Sequence, residues 1–149
     1  MALIILLGCP CAAQEAFGTW KMDPARSILD SSETRAPIVR IESHPKGEVF
    51  TVERLRRNGQ TQTWSAILYM DGKPRDSPRL DCSGTLASRR LENSSVELLW
   101  SCENDRVMRL IRHTPSDPNH LILDETESRP NHPDQFRHIV LKRQRPTRD

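Results

Sequence analysis

The strongest constraint in this chain is its rhythm. From residue 14 onward, no segment repeats apolar residues at i, i+3, i+4 and i+7, so no long amphipathic helix is expected. Short strand-like runs recur instead, separated by turn residues every 8–12 positions. They are Phe17–Asp23, Ile38–Ser43, Glu48–Arg57, Thr61–Met70, Thr85–Leu91, Ser95–Cys102, Arg106–Thr114, His120–Glu127 and Phe136–Arg143. Asn58-Gly59 and Asp71-Gly72 tolerate the positive φ of a tight hairpin, and Pro45-Lys46-Gly47, Glu92-Asn93-Ser94 and Glu103-Asn104-Asp105 make similar short connections. The predicted fold is all-β: an antiparallel up-and-down β-barrel of about 8–9 strands, with at most one short helix within residues 24–36.

Alternation supports this reading. Gln62, Trp64, Ala66, Leu68 and Met70 share one strand face, and Val96, Leu98, Trp100 and Cys102 share another. Ile139-Val140-Leu141 and Met108–Ile111 are apolar on both faces, as expected where the outer face is partly covered. The 149 residues suit one domain, placed at residues 14–144 with a flexible basic tail at 145–149. A net charge of +2, from 22 basic and 20 acidic residues, argues against a dedicated nucleic-acid binder. A monomer is expected.

The run Ala2–Gly8 followed by Cys9-Pro10-Cys11-Ala12-Ala13 reads as the apolar region and small-residue cleavage site of a signal peptide spanning residues 1–13, with Gln14 as the mature start. It is too short for a transmembrane helix. Leu6-Leu7-Gly8-Cys9 also fits a lipobox, which would place a lipid on Cys9. Either route leads to a secreted, periplasmic or lipid-anchored protein. Export leaves Cys82 and Cys102, an even count that favours one disulfide, worth about 3 kcal/mol for a loop of about 20 residues.

Phe17-Gly18-Thr19-Trp20-Lys21 resembles the first strand of lipocalins and fatty-acid-binding proteins. The longer string from Gly18 to Ser27 is similar to small exported bacterial lipocalin-like proteins. The resemblance implies a barrel closed at one end by Gly18 and Trp20, with Arg137 or Arg143 stacking on the indole. The Arg-x-Tyr clamp for a fatty-acid carboxylate is absent, because Arg137 is followed by His138 and Ile139.

Candidate chemistry is sparse. His44, His113, His120, His132 and His138 lack zinc-ligand spacing, although His113 and His120 could converge across a hairpin. Glu125 and Glu127 are expected on a solvated strand face. No nucleophile elbow occurs, so no catalytic residue, metal or cofactor is assigned and the chain is read as a non-enzyme. Arginine outnumbers lysine 18 to 4, and Arg54, Arg56, Arg57, Arg89, Arg90, Arg106, Arg109 and Arg112 fall on neighbouring runs, where the plain reading pairs them with Glu53, Glu92 and Glu97. Asn93-Ser94-Ser95 matches a glycosylation acceptor. The interior set is Phe17, Trp20, Val39, Ile41, Val52, Trp64, Leu68, Leu98, Trp100, Leu110, Ile122, Ile139 and Leu141. Within it Trp64, Leu68, Trp100 and Leu110, with Arg54 and Arg112, are the candidate site for a small hydrophobic or amphipathic ligand. The alternative is a filled barrel that acts through its surface.

Overall fold

Alternating side chains between turn residues fold into strands. The computed structural model describes residues 16–28, 37–55, 58–78, 82–113 and 117–146. The strands are β1 (Gly18–Met22), β2 (Ile38–His44), β3 (Gly47–Leu55), β4 (Thr61–Leu68), β5 (Arg75–Asp76), β6 (Thr85–Arg90), β7 (Val96–Ser101), β8 (Val107–Arg112), β9 (His120–Ser128) and β10 (Gln135–Arg143). The sole helical element among the described residues is a 3-10 turn at Glu103–Asp105.

All ten strands form one antiparallel sheet in the order β4-β3-β2-β1-β10-β9-β8-β7-β6-β5. Each connection joins adjacent strands except that from β4 to β5, while β1 pairs with β10. Among the described residues, the sheet's two edges are therefore β4 and β5. The sheet curls until these edges approach: the Met70 N–H donates to Ser88 Oγ at 3.1 Å, and Asp71 bridges to Arg89. The molecule is a curled, barrel-like sheet with a seam between β4 and β5.

Nine strands coincide with predicted runs, and β5 raises the number from the expected 8–9 to ten. Its two residues stand among Gly72, Pro74 and Pro78, where no periodic signal survives. Asp71-Gly72, expected as a hairpin, instead carries the chain across the seam between two edges that do not pair. The Asp71 carboxylate organises this crossing by accepting bonds from the Lys73 N–H at 3.0 Å and from Arg75 at 2.7 and 2.9 Å.

The helix expected within 24–36 is absent from the described part of that segment. Residues 24–26 form a turn, and Ile28 runs beside β10, exchanging main-chain bonds with His138 at 2.7 and 3.0 Å. Residues 29–36 lie outside the described residues, as do the leader at 1–13 with Cys9, the mature start at Gln14, Arg56 and Arg57, and the tail residues 147–149. Ile122, expected inside, pairs with Val140 on the outer face, and its neighbours Leu121 and Leu123 point inward. The one-residue difference follows from the two-residue period of a strand.

The end of the sheet that holds the start of β1 is built around Gly18, Trp20 and Arg143. Gly18 has φ +131°, and a Cβ there would stand 2.8 Å from Arg143 Nη1. Trp20 is fully buried, its Nε1 donates to the Ala16 carbonyl at 2.9 Å, and the Arg143 guanidinium lies 4.1 Å over its ring. Arg143 also donates to the carbonyls of Phe17 at 2.6 Å and Pro118 at 2.8 Å. Arg143 therefore serves as the stacking arginine at this Trp20 end, whereas Arg137 is engaged elsewhere. At the opposite end, a disulfide joins Cys82, just before β6, to Cys102, just after β7.

Candidate functional site

The inner face follows from register. On β9 the inward residues are Leu121, Leu123, Glu125 and Glu127, and on β10 they are Leu141, Ile139 and Arg137. Both strands thus change from apolar to ionic on the same face as they run toward the disulfide end. Glu125 sits opposite Arg137 in register and accepts from its Nη1 at 3.1 Å. Glu127 accepts from Arg106 Nε at 2.8 Å and from Arg129 Nε at 2.5 Å. Burial pushes the Glu127 carboxyl up, but the bonds from Arg106 and Arg129 together outweigh it and hold the group below the ordinary glutamate range.

This overturns the expectation of a solvated face for Glu125 and Glu127, which are only 3% and 5% exposed. Buried carboxylates persist where cations stand in register to meet them. The signal was present as parity: Glu125 and Glu127 continue the Leu121–Leu123 alternation, and Arg137 continues that of Leu141 and Ile139.

A second ionic group lies at the Trp20 end. Glu48 of β3 meets Arg112 of β8 at 2.7 Å, an ion contact short of hydrogen-bond alignment, and Arg90 of β6 at 3.3 Å. These strands are far apart in the sheet order, so the cluster ties opposite walls together across the interior. Between the two ionic groups aromatic side chains meet across the interior. Phe50 meets Trp64 edge-on at 6.2 Å, and Trp64 meets Trp100 at 5.5 Å, a contact from β4 to β7.

Four of the candidate ligand residues share one hydrophobic cluster, and the two arginines stand toward opposite ends of the sheet. Leu68, Leu110 and Trp100 are core residues, and Trp64 packs on Trp100. Arg112 is held by Glu48 at the Trp20 end, and Arg54 stands at the other end of β3, opposite Gln62.

A groove of about 580 Å³ opens at the disulfide end. It is lined by Cys82, Ser83, Cys102, Asn104, Arg106, Arg129 and His132, among others. The disulfide and the 3-10 turn form one wall, and the β9–β10 loop forms the other. One buried carboxylate, Glu127, anchors Arg106 through Nε and Arg129 through both Nε and Nη2. The trio carries a net charge of +1. His132 Nδ1 lies 2.9 Å from the Pro130 carbonyl, which can only accept, so that nitrogen carries the proton and Nε2 is left for another partner. The half-exposed Arg129 guanidinium, with Arg106 beside it, can attract a carboxylate, sulfonate or phosphate.

The remaining polar groups serve the sheet's outer face. Glu97 is clasped between Arg89 and Arg109, each at 2.6 Å. Burial raises its carboxyl, and the two arginines more than offset that, leaving it below the usual range. Arg40 pairs with Glu53 at 2.6 Å. Of the arginines of neighbouring runs, Arg89 and Arg109 thus meet an acidic partner on the outer face and Arg90, Arg106 and Arg112 on the inner one. His113 and His120 do not converge: His113 and His138 flank Asp124 at 2.6 Å each, and His120 pairs with Asp117 at 2.6 Å. Asn93 sits in the exposed β6–β7 turn, where its Oδ1 accepts from the Ser95 N–H at 3.1 Å. No group of three ligating side chains among the described residues has metal-site geometry, and no described helix is long and apolar enough to cross a membrane.

No protein-family model matches this chain, and no curated protein matches it either.

Proposed function

We propose that this protein is an exported, lipocalin-like barrel that non-covalently binds a small, partly apolar anion at the mouth of its disulfide end. The observation that carries this reading is the groove of about 580 Å³ in which buried Glu127 presents Arg106 and Arg129 together. Its volume lies within the roughly 300–1,000 Å³ of small-molecule sites. The Cys82–Cys102 bridge supports an oxidising compartment, since disulfides persist in secreted and periplasmic proteins. The Gly18–Trp20–Arg143 arrangement supports the lipocalin-like reading of the closed end. Binding here needs no enzyme chemistry and no cofactor.

The packed Phe50–Trp64–Trp100 contacts favour a second reading, in which the barrel is filled and acts through its surface. A titration with 1-anilinonaphthalene-8-sulfonate, an amphipathic anion, separates the two. Expected is saturable binding with a Kd of about 10⁻⁵–10⁻⁶ M, weakened about tenfold by Arg129→Gln through loss of one charge-assisted contact. Absence of saturable binding, or an unchanged Kd in the variant, removes the groove as the site.

A further inference from the structure

The disulfide does more than wall the groove, because an arginine is built beside it. Ser101 and Val107 pair on the outer face, and the next residue along from each, Cys102 and Arg106, turns inward. Both have extended backbone, and the Cys102 N–H donates to the Arg106 carbonyl at 2.8 Å. The Cys102 sulfur and the Arg106 guanidinium therefore start from neighbouring positions on one face. Glu127 holds that guanidinium at 2.8 Å and also holds Arg129, which belongs to the opposite wall.

The two sulfurs differ in access. Cys82 is 3% exposed, whereas Cys102 is partly exposed, and both line the groove. A thiolate entering the groove meets Cys102 first, and exchange needs only that it reach one sulfur of the bridge. The attacking and leaving groups are both anions, so guanidiniums beside the bridge favour approach and departure alike. Glu103 is the one carboxylate among the lining residues, and it is exposed to water, which screens it. The Arg106 side chain is only 15% exposed and is screened less.

We propose that the ligand of this groove is a small thiol carrying a carboxylate, and that Cys102 captures it covalently as a mixed disulfide. The proposal rests on the reading of the groove as an anion site. The incoming thiolate sulfur bonds to Cys102 Sγ, the Cys82–Cys102 bond breaks, and its electron pair leaves on Cys82 Sγ, which takes a proton from water. The incoming sulfur is oxidised and Cys82 is reduced, so no other oxidant or reductant is consumed. Return attack by the Cys82 thiolate restores the bridge and releases the thiol.

The test treats the oxidised full chain with 3-mercaptopropionate, which carries a carboxylate, or with cysteamine, which carries an ammonium. Each rate of bridge opening is taken per thiolate and divided by that thiol's rate on a small uncharged disulfide. Samples are quenched with N-ethylmaleimide and read by intact mass and peptide mapping. Expected is about a tenfold preference for mercaptopropionate at low ionic strength, with the thiol on Cys102 and the maleimide on Cys82. Salt at about 1 M should reduce the preference to about twofold. Arg129→Gln should lower it about threefold, and Glu103→Gln should raise it by a similar factor. Equal normalised rates, capture on Cys82, or a bridge that neither thiol opens in the folded chain each overturns the proposal. Binding of 1-anilinonaphthalene-8-sulfonate involves no sulfur chemistry and reports the anion site separately. Where it stays saturable, those outcomes remove covalent capture alone; where it is absent, both readings fall.

Discussion

The Trp20 end and the disulfide end use the same residue type in opposite ways. At the first, Arg143 spends its charge on a π face and two carbonyls, closing the sheet over a fully buried indole. At the second, Arg106, Arg129 and Arg137 are held by buried carboxylates, and two of them line an open groove. An arginine on an aromatic ring seals; Arg129, half-exposed beside the groove, can also meet a ligand. Structure thus separates from candidate function along the length of one sheet.

The largest effects expected from breaking this contrast lie at the Trp20 end. Trp20→Ala should cost about 3–5 kcal/mol in urea unfolding, as for a large buried aromatic. Unchanged stability would show that closure does not rest on the indole. Glu48→Gln should cost a similar amount, about 3–5 kcal/mol, because it leaves Arg112 buried without a counter-charge. The double replacement Glu48→Leu with Arg112→Met should recover most of that loss, and failure to do so would assign the cluster a role beyond charge compensation.

Intermediate effects belong to the other end. Reducing Cys82–Cys102 should cost about 3 kcal/mol and loosen the wall of the groove, seen as weaker probe binding together with a lower unfolding midpoint. Acid should act next. Glu127 and Glu97 both have carboxyls held below their ordinary value of 4.5, so their contribution is complete above about pH 4.5 and is lost as pH falls through the depressed folded values. Stability measured between pH 6 and pH 3 should fall on that limb, and Glu127→Gln should flatten the slope. A slope unaltered by this variant would mean that the buried pair with Arg106 is not electrostatically coupled to folding. A smaller effect is expected of Arg143→Ala, about 2–3 kcal/mol for the loss of the cation–π contact and the bonds to the Phe17 and Pro118 carbonyls, with the groove's affinity unchanged.

Much of the fold was legible because period-two alternation and turn residues are local. Nine strands could be read directly, and the Cys82–Cys102 pairing once Cys9 and Cys11 were assigned to the leader. The tenth strand could not, since Arg75-Asp76 is too short to show a period and pairs only because β6 lies beside it. Asp71-Gly72 has a hairpin's chemistry, but whether a turn joins paired strands is decided by how far the sheet curls. The candidate site was the least legible part. Arg106, Arg129 and Glu127 are separated by up to 23 residues, and Glu127 reads as solvated until β8 is laid beside β9 with Met108 opposite it.

By itself, the sequence determined an all-β chain and the places of nine of its described strands, because alternation and turn residues depend on neighbours within a few positions. Only the tertiary structure decided that the sheet stays open between β4 and β5, that Glu48 reaches Arg112 across the interior, and that Glu127 gathers two arginines at a groove. Those outcomes depend on register and curl, which set the distances between residues remote in the chain, and electrostatic pairing in a buried interior is decided by distance.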